Sequence, residues 1–265
     1  MRLRPGNAQH QGSRDAQQDA FGFSDLDDRA FVAHGGFLGA VADGMGGLAH
    51  GGAASAAAIR TLLASYAAKR RDESVGDALE RAAREANSAV VELARSSGHE
   101  TEIGTTLAAV VVHDGCLSWV GVGDSRVYVW RDGRLAQVTL DHNYAAELDA
   151  KAAAGDIDPD VAAADPDREA LTSYLGRPTL AAVDRSARAL PLLSGDRVLL
   201  CSDGLYRALS LAEIAGALDG NPQDACESLV DAALARRLPR QDNLTVLVVA
   251  LDDDQVRSRV AESSR

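Results

Sequence analysis

Cysteine is scarce. Cys116, Cys201 and Cys226 are the only three in 265 residues, and no two form a C-x-x-C pair. That excludes a disulfide framework and argues against a thiolate metal cage. Aromatic residues are equally thin at 4%, so any core must be built mainly from Ala, Val and Leu. Basic residues number 27 against 39 acidic ones, a formal charge of −12. A surface of that sign disfavours sequence-independent nucleic-acid binding and docking on anionic lipid. No apolar run approaches the ~20 residues of a membrane span. The opening Met1-Arg-Leu-Arg-Pro has no apolar stretch behind its charges, so no signal peptide is read. A reducing cytoplasm and a monomer are the default expectations.

What is present is an ordinary soluble composition, 46% hydrophobic and 25% charged. No Pro/Ser-rich linker or internal repeat divides it. One domain is expected over residues 1–251, with 252–265 as a polar tail. Short apolar runs bounded by Gly and Asp predict strands at Phe37 to Ala42, Thr106 to Val112, Leu117 to Val122, Arg126 to Trp130, Arg197 to Cys201 and Leu244 to Leu251. Helical spacing predicts helices over Gly52 to Arg70, Val75 to Ser97, Leu211 to Leu218 and Pro222 to Arg236. Short strand-to-strand connections such as Val112-His-Asp-Gly-Cys116 imply antiparallel hairpins. With no regular βαβ alternation, the class is α+β.

Three aspartates stand where an apolar run meets a turn: Asp43, Asp203 and Asp242. Singly, Asp-Gly is the commonest of turn dipeptides. Together, carboxylates held at strand ends repel one another unless a cation lies between them. Oxygen-only ligands suit Mg²⁺ or Mn²⁺.

Six segments then follow in order: Gly12-Ser-Arg14-Asp-Ala-Gln17-Gln18-Asp19-Ala20, Val41-Ala-Asp43-Gly44-Met45-Gly46-Gly47, Gly104-Thr105-Thr106-Leu107, Val122-Gly123-Asp124-Ser125-Arg126, Leu200-Cys-Ser-Asp203-Gly204-Leu205 and Gln241-Asp242-Asn243-Leu-Thr245. Together they resemble the protein phosphatase 2C family, the metal-dependent Ser/Thr phosphatases, in its bacterial form. The match runs from about Gly12 to Leu251. The resemblance implies a four-layer sandwich of two antiparallel β-sheets flanked by α-helices, with a flap at about 142–176 near the active site. It implies two Mn²⁺ or Mg²⁺ ions bridged by Asp43, with the Gly44 carbonyl on one of them. Asp203 and Asp242 would hold one ion and Asp19 would reach the other. Asp124, with Asp203, matches the position of a third, weaker ion. Arg14 would bind the substrate phosphate through its planar fork of donors. Two ions sharing a water lower its pKa toward neutrality and ready it for in-line attack on phosphorus. Substrates would be phosphoserine and phosphothreonine proteins, and the partner a cognate Ser/Thr kinase.

The chain also departs from the family pattern. Met45 stands where many eukaryotic relatives carry a His thought to act as general acid; His50 and His142 are the nearest substitutes in sequence. Gln17 replaces Asn. In the flap, Asp165-Pro166 replaces His-Pro and Ser173-Tyr174 replaces an Arg-containing pair. Two rival readings remain open. Cys201-Ser-Asp-Gly-Leu-Tyr-Arg207 satisfies C-x5-R, the signature of thiolate phosphatases, although Asp203 inside that loop would repel phosphate. A phosphoprotein-binding regulator with weak or lost catalysis is the other.

Overall fold

The two faces of each strand are used differently, and this builds the layers. In the strand Arg197–Cys201, Val198 and Leu200 point one way into one apolar cluster, while Leu199 and Cys201 point the other way into a second. Such period-two sorting, with both faces apolar, marks a strand covered on both sides.

The computed structural model describes residues 2–46, 50–100 and 102–252. Gly47 and the tail from residue 253 onward therefore lie outside the described residues. The chain runs β1 (Arg2–His10), β2 (Asp19–Phe23), α1 (Arg29–Gly35), β3 (Phe37–Met45), α2 (His50–Ala67), α3 (Val75–Ser97), β4 (Gly104–Thr105), β5 (Leu107–His113), β6 (Cys116–Val122), β7 (Arg126–Arg131), β8 (Arg134–Gln137), α4 (Tyr144–Ala154), α5 (Pro159–Ala164), β9 (Asp184–Arg185), β10 (Leu190–Pro191), β11 (Arg197–Cys201), α6 (Asp203–Tyr206), α7 (Leu211–Ala217), α8 (Pro222–Ala235) and β12 (Leu244–Asp252). One sheet has the order β1-β12-β11-β7-β8 and the other β10-β6-β5-β3-β2, with β4 on β3 and β9 on β6. Every pairing is antiparallel.

Phe37, Val41, Val110, Val127, Leu200 and Leu247 fill the space between the sheets. Helices α2 and α3 cover the outer face of one sheet, packing Leu62, Leu79 and Val90 onto Ala109 and Val111. Helices α7 and α8 cover the other, packing Ile214 and Leu229 onto Tyr128 and Val246. The expected four-layer α+β sandwich is what forms. Asp252, which composition assigned to the tail, closes β12 and is ion-paired to Arg4 at 2.5 Å.

Local signals set the helix ends. Ser74 caps α3, accepting from the Asp77 amide, and Gly98 ends it in the left-handed region. Ser210 and Glu213 form a capping box on α7, while Asn221 caps α8 ahead of Pro222. These devices fix where α7 and α8 begin, and so where the chain re-enters the sandwich at β12.

Candidate functional site

The site begins with β3, whose apolar run continues past Ala42 to Met45 and so carries Asp43 into the sheet itself. On β2 the residue directly opposite is Asp19. Two acids facing each other across neighbouring strands oppose folding unless something offsets their charge. The Gly-Thr-Thr segment holds Asp43 by its backbone. The Asp43 amide donates to Thr106 Oγ1 at 2.9 Å, and the Asp43 carbonyl accepts from Thr105 Oγ1 at 2.9 Å and from the Thr106 amide at 2.8 Å. Thr106 is itself hydrogen-bonded to Ser125 of the Gly-Asp-Ser-Arg segment.

The second sheet contributes the opposite wall. Ser202 follows β11 and Thr245 lies in β12; their hydroxyls donate to Asp19 Oδ2, each at 2.7 Å. Asp203 opens α6. Asp242 precedes β12, and the neighbouring Asn243 ties this loop to the N-terminal motif. Its Oδ1 accepts from the Gln18 amide, and its Nδ2 donates to the carbonyls of Gln11 and Ala16. Gln241 Nε2 donates to the Gly204 carbonyl at 3.0 Å.

Two glycines are required here by backbone crowding. A Cβ on Gly44 would fall 2.1 Å from the Gly51 carbonyl oxygen, and one on Gly204 would fall 2.1 Å from that of Asn243. These residues therefore let main chain approach main chain, which brings the aspartate-bearing turns together.

The result is a cleft of about 450 Å³ lined by Arg14, Asp43, Gly44, Asp124, Asp203 and Asp242, together with Gln18, Met45, Thr106 and Asn243. Asp19 lies beneath it, buried. All seven sequence-predicted residues thus meet at one place. Burial raises the carboxyl of Asp43 well above the usual range, and Asp19, Asp203, Asp124 and Asp242 each push it further. Burial likewise raises Asp19 and Asp124, each to about 6. Asp203 is raised by burial even though Arg207 opposes the shift, and its side chain lies within hydrogen-bond reach of Asp43. Oδ1 of Asp19 and Oδ1 of Asp203 are buried without a hydrogen-bond partner. Among the described residues, no three His, Cys, Asp or Glu side chains are gathered into a ready-made single-ion cage. The carboxylates ring the cleft instead.

The protein phosphatase 2C profile matches residues 7–239. The chain belongs to the protein phosphatase 2C family. The serine/threonine protein phosphatase PstP of Mycobacterium tuberculosis is 37% identical over 222 residues, 81% of this chain but 40% of that protein, so this chain spans less than half the length of that relative. The serine/threonine phosphatase stp of Listeria innocua is 32% identical over 79% of this chain and 82% of its own. Among solved structures, the catalytic domain of a serine/threonine phosphatase PstP in complex with two manganese ions superposes with a TM-score of 0.74. It is 30% identical and covers 95% of this chain and 99% of that one.

Within this 2C family member, the structure decides against two readings that the sequence left open, a thiolate nucleophile and a histidine proton donor. Cys201 is fully buried on the outer face of β11 among Tyr128, Leu205 and Val246, and burial raises its thiol far above its ordinary value. It does not line the cleft. A thiol kept protonated and walled off is no nucleophile, so the C-x5-R reading is wrong. Arg126 of the Gly-Asp-Ser-Arg segment makes a bidentate contact with Asp141 and stacks 3.5 Å over the Tyr206 ring. Neither candidate proton donor lines the cleft. His50 packs on His99, and His142 accepts from the Gly123 amide and is held below its usual pKa by burial. The flap contains α4 and α5, and it sends Glu169, Leu171 and Tyr174 into the cleft.

Arg207 and Glu169 are cleft residues that the sequence did not single out in this role. The i,i+4 spacing from Asp203 to Arg207 was the one available signal for the arginine. Glu169 sits in an irregular stretch and had none.

Proposed function

We propose that this chain is a metal-dependent phosphoserine/phosphothreonine phosphatase, with its catalytic domain spanning 1–251. The observation that carries the reading is the convergence of Asp19, Asp43, Asp124, Asp203 and Asp242, drawn from both sheets, on a cleft that also holds Arg14. The donor set fits hard divalent cations. It is all oxygen, two of those oxygens are buried and unpartnered, and like charges raise one another's pKa. A shared pair of ions completed by water does not need a closed single-ion cage.

Asp43, between Asp19 and Asp203, would bridge two Mn²⁺ or Mg²⁺ ions, with the Gly44 carbonyl as a further donor. Asp203 and Asp242 would complete one side and Asp19 the other. When bound, such ions make a water acidic enough to ionise near neutral pH and offset charge on the phosphate oxygens. Arg14 supplies the substrate grip. Its guanidinium is half-exposed at the cleft and contacts Asp242 Oδ2 at 2.6 Å. Cation and guanidinium therefore compete for Asp242, and a released Arg14 offers two parallel donors to a phosphate. Met45 lines the cleft but carries no proton to give, so the leaving seryl or threonyl oxygen takes its proton from water in the open cleft.

The substrates would be phosphorylated proteins. A cognate Ser/Thr kinase, a cytoplasmic setting and a monomeric state complete the reading. Among the described residues no helix is long and apolar enough to cross a membrane. The test is hydrolysis of a phosphothreonine peptide with Mn²⁺ and after chelation, alongside folded Asp43→Asn. Activity should vanish in both latter cases. Equal turnover after exhaustive chelation overturns the proposal.

A further inference from the structure

Arg207 leaves the end of α6 and turns back over the cleft. Its Nε lies 3.0 Å from Asp203 Oδ2, and its Nη2 lies 3.6 Å from Asp124 Oδ2 and 3.1 Å from Glu169 Oε2. Asp124 and Asp203 are both buried, whereas Arg207 is two-fifths exposed. The arginine is held from below as well. Its amide donates to the Asp203 carbonyl, and the preceding Tyr206 donates to the Asp124 carbonyl while carrying Arg126 on its ring. A planar guanidinium can serve carboxylates lying in different directions at once, which a compact ammonium cannot.

Charge balance separates this arginine from the rest of the cleft. Asp19, Asp43, Asp203 and Asp242 supply four negative charges, which two divalent ions match. Asp124 and Glu169 are left over against the two guanidinium groups of the cleft, and Arg207 is the one that lies beside both. A metal ion between Asp124 and Asp203 would compete with the guanidinium, which already lies against Oδ2 of both acids.

We propose that Arg207 is a built-in cation: it fills the position between Asp124 and Asp203, so the chain takes two metal ions and not a third, and it fastens Glu169 of the flap to the metal-binding wall. The third ion expected at Asp124 is thus replaced by a side chain. Arg207 is a positioning residue, acting through Asp203 and Glu169. This inference rests on the metal reading of the cleft, and the test separates the two.

Mn²⁺ is titrated into the full chain up to millimolar free ion, with electron paramagnetic resonance reporting the unbound metal. The wild type should saturate at two ions. Arg207→Ala, or Arg207→Gln if the smaller side chain unfolds the protein, should gain a third, weaker ion. Adding Asp124→Asn to that variant should return the count to two. Glu169→Gln should leave the count at two. Three ions on the wild type, or no gain in a folded Arg207 variant, overturns the proposal while leaving the metal reading intact. No ion on the wild type overturns both.

Discussion

Replacing Asp19 with Asn should stabilise the metal-free protein at neutral pH. Asp19 is buried, and its carboxyl is raised from 3.8 to about 6, first by burial and then, against the help of Ser202 and Thr245, by Asp203 and Asp242. The native state therefore holds this proton more tightly than the unfolded chain does. The contribution of this group to stability falls as pH rises from about 4 to about 6 and is flat above that. Two units at ~1.4 kcal/mol each cost the ionised wild type on the order of 3 kcal/mol at pH 7.5. Asn escapes that cost. Its carbonyl still accepts from the Ser202 and Thr245 hydroxyls, and its amide replaces Oδ1, which has no hydrogen-bond partner, among acids able to accept. Urea unfolding in chelator should show Asp19→Asn more stable by ~2–3 kcal/mol at pH 7.5, which is roughly 5–10 °C in Tm for a domain of this size. At pH 4.5 the difference should nearly close, because the wild-type carboxyl is then neutral. Saturating Mn²⁺ should reverse the order, since ion binding stabilises only the chain that binds it well. An Asn variant no more stable than wild type in chelator at pH 7.5 would refute this reasoning. So would an advantage that is the same at both pH values.

Gly204→Ala should destabilise by ~2–3 kcal/mol or more, because its Cβ would lie 2.1 Å from the Asn243 carbonyl oxygen. Gly216→Ala in α7 meets nothing within 4 Å and should stabilise by ~0.5–1 kcal/mol, so thermal melts of the pair should move in opposite directions. Cys201→Ser should keep its Mn²⁺-dependent activity while losing ~1–3 kcal/mol for an apolar site given a hydroxyl; loss of turnover in the folded variant would revive the thiolate reading. Arg14→Ala should raise KM for a phosphopeptide by ~10–100-fold with a smaller change in kcat, matching the ~1.5–3 kcal/mol of a hydrogen bond to a charged group. An unchanged KM in steady-state assays would remove Arg14 from the substrate.

The elements legible in the sequence are those whose own side chains carry the burial pattern. The bounds of β11 are legible because all five of its residues are buried, and those of α3 because its cap, apolar stripe and terminal glycine agree. β1 and β8 carry no such pattern. Both are sheet edges, each paired on one side only. They are held by main-chain bonds to a neighbour and tolerate polar residues, in β1 even a proline. The Asp-Gly turns were visible because a carboxylate ending an apolar run is unusual in combination. Asp19 is legible only through its motif, since it precedes rather than ends the short apolar run Ala20-Phe21-Gly22-Phe23 of β2. Arg207 and Glu169 gain their meaning only where α6 and the flap meet, and no local period records such a meeting.

The acids of the cleft belong to different halves of the sandwich. Asp19 and Asp43 ride on the layer shared by β2 and β3, while Asp203 and Asp242 sit at the ends of β11 and β12 on the other. A chain severed near Gly155 would divide them, Asp19, Asp43 and Asp124 in one fragment and Asp203 and Asp242 in its complement. Neither fragment would own a complete cup. Recovery of Mn²⁺ uptake on mixing the fragments would then report that the two layers had found each other in register, turning the cleft into a gauge of assembly.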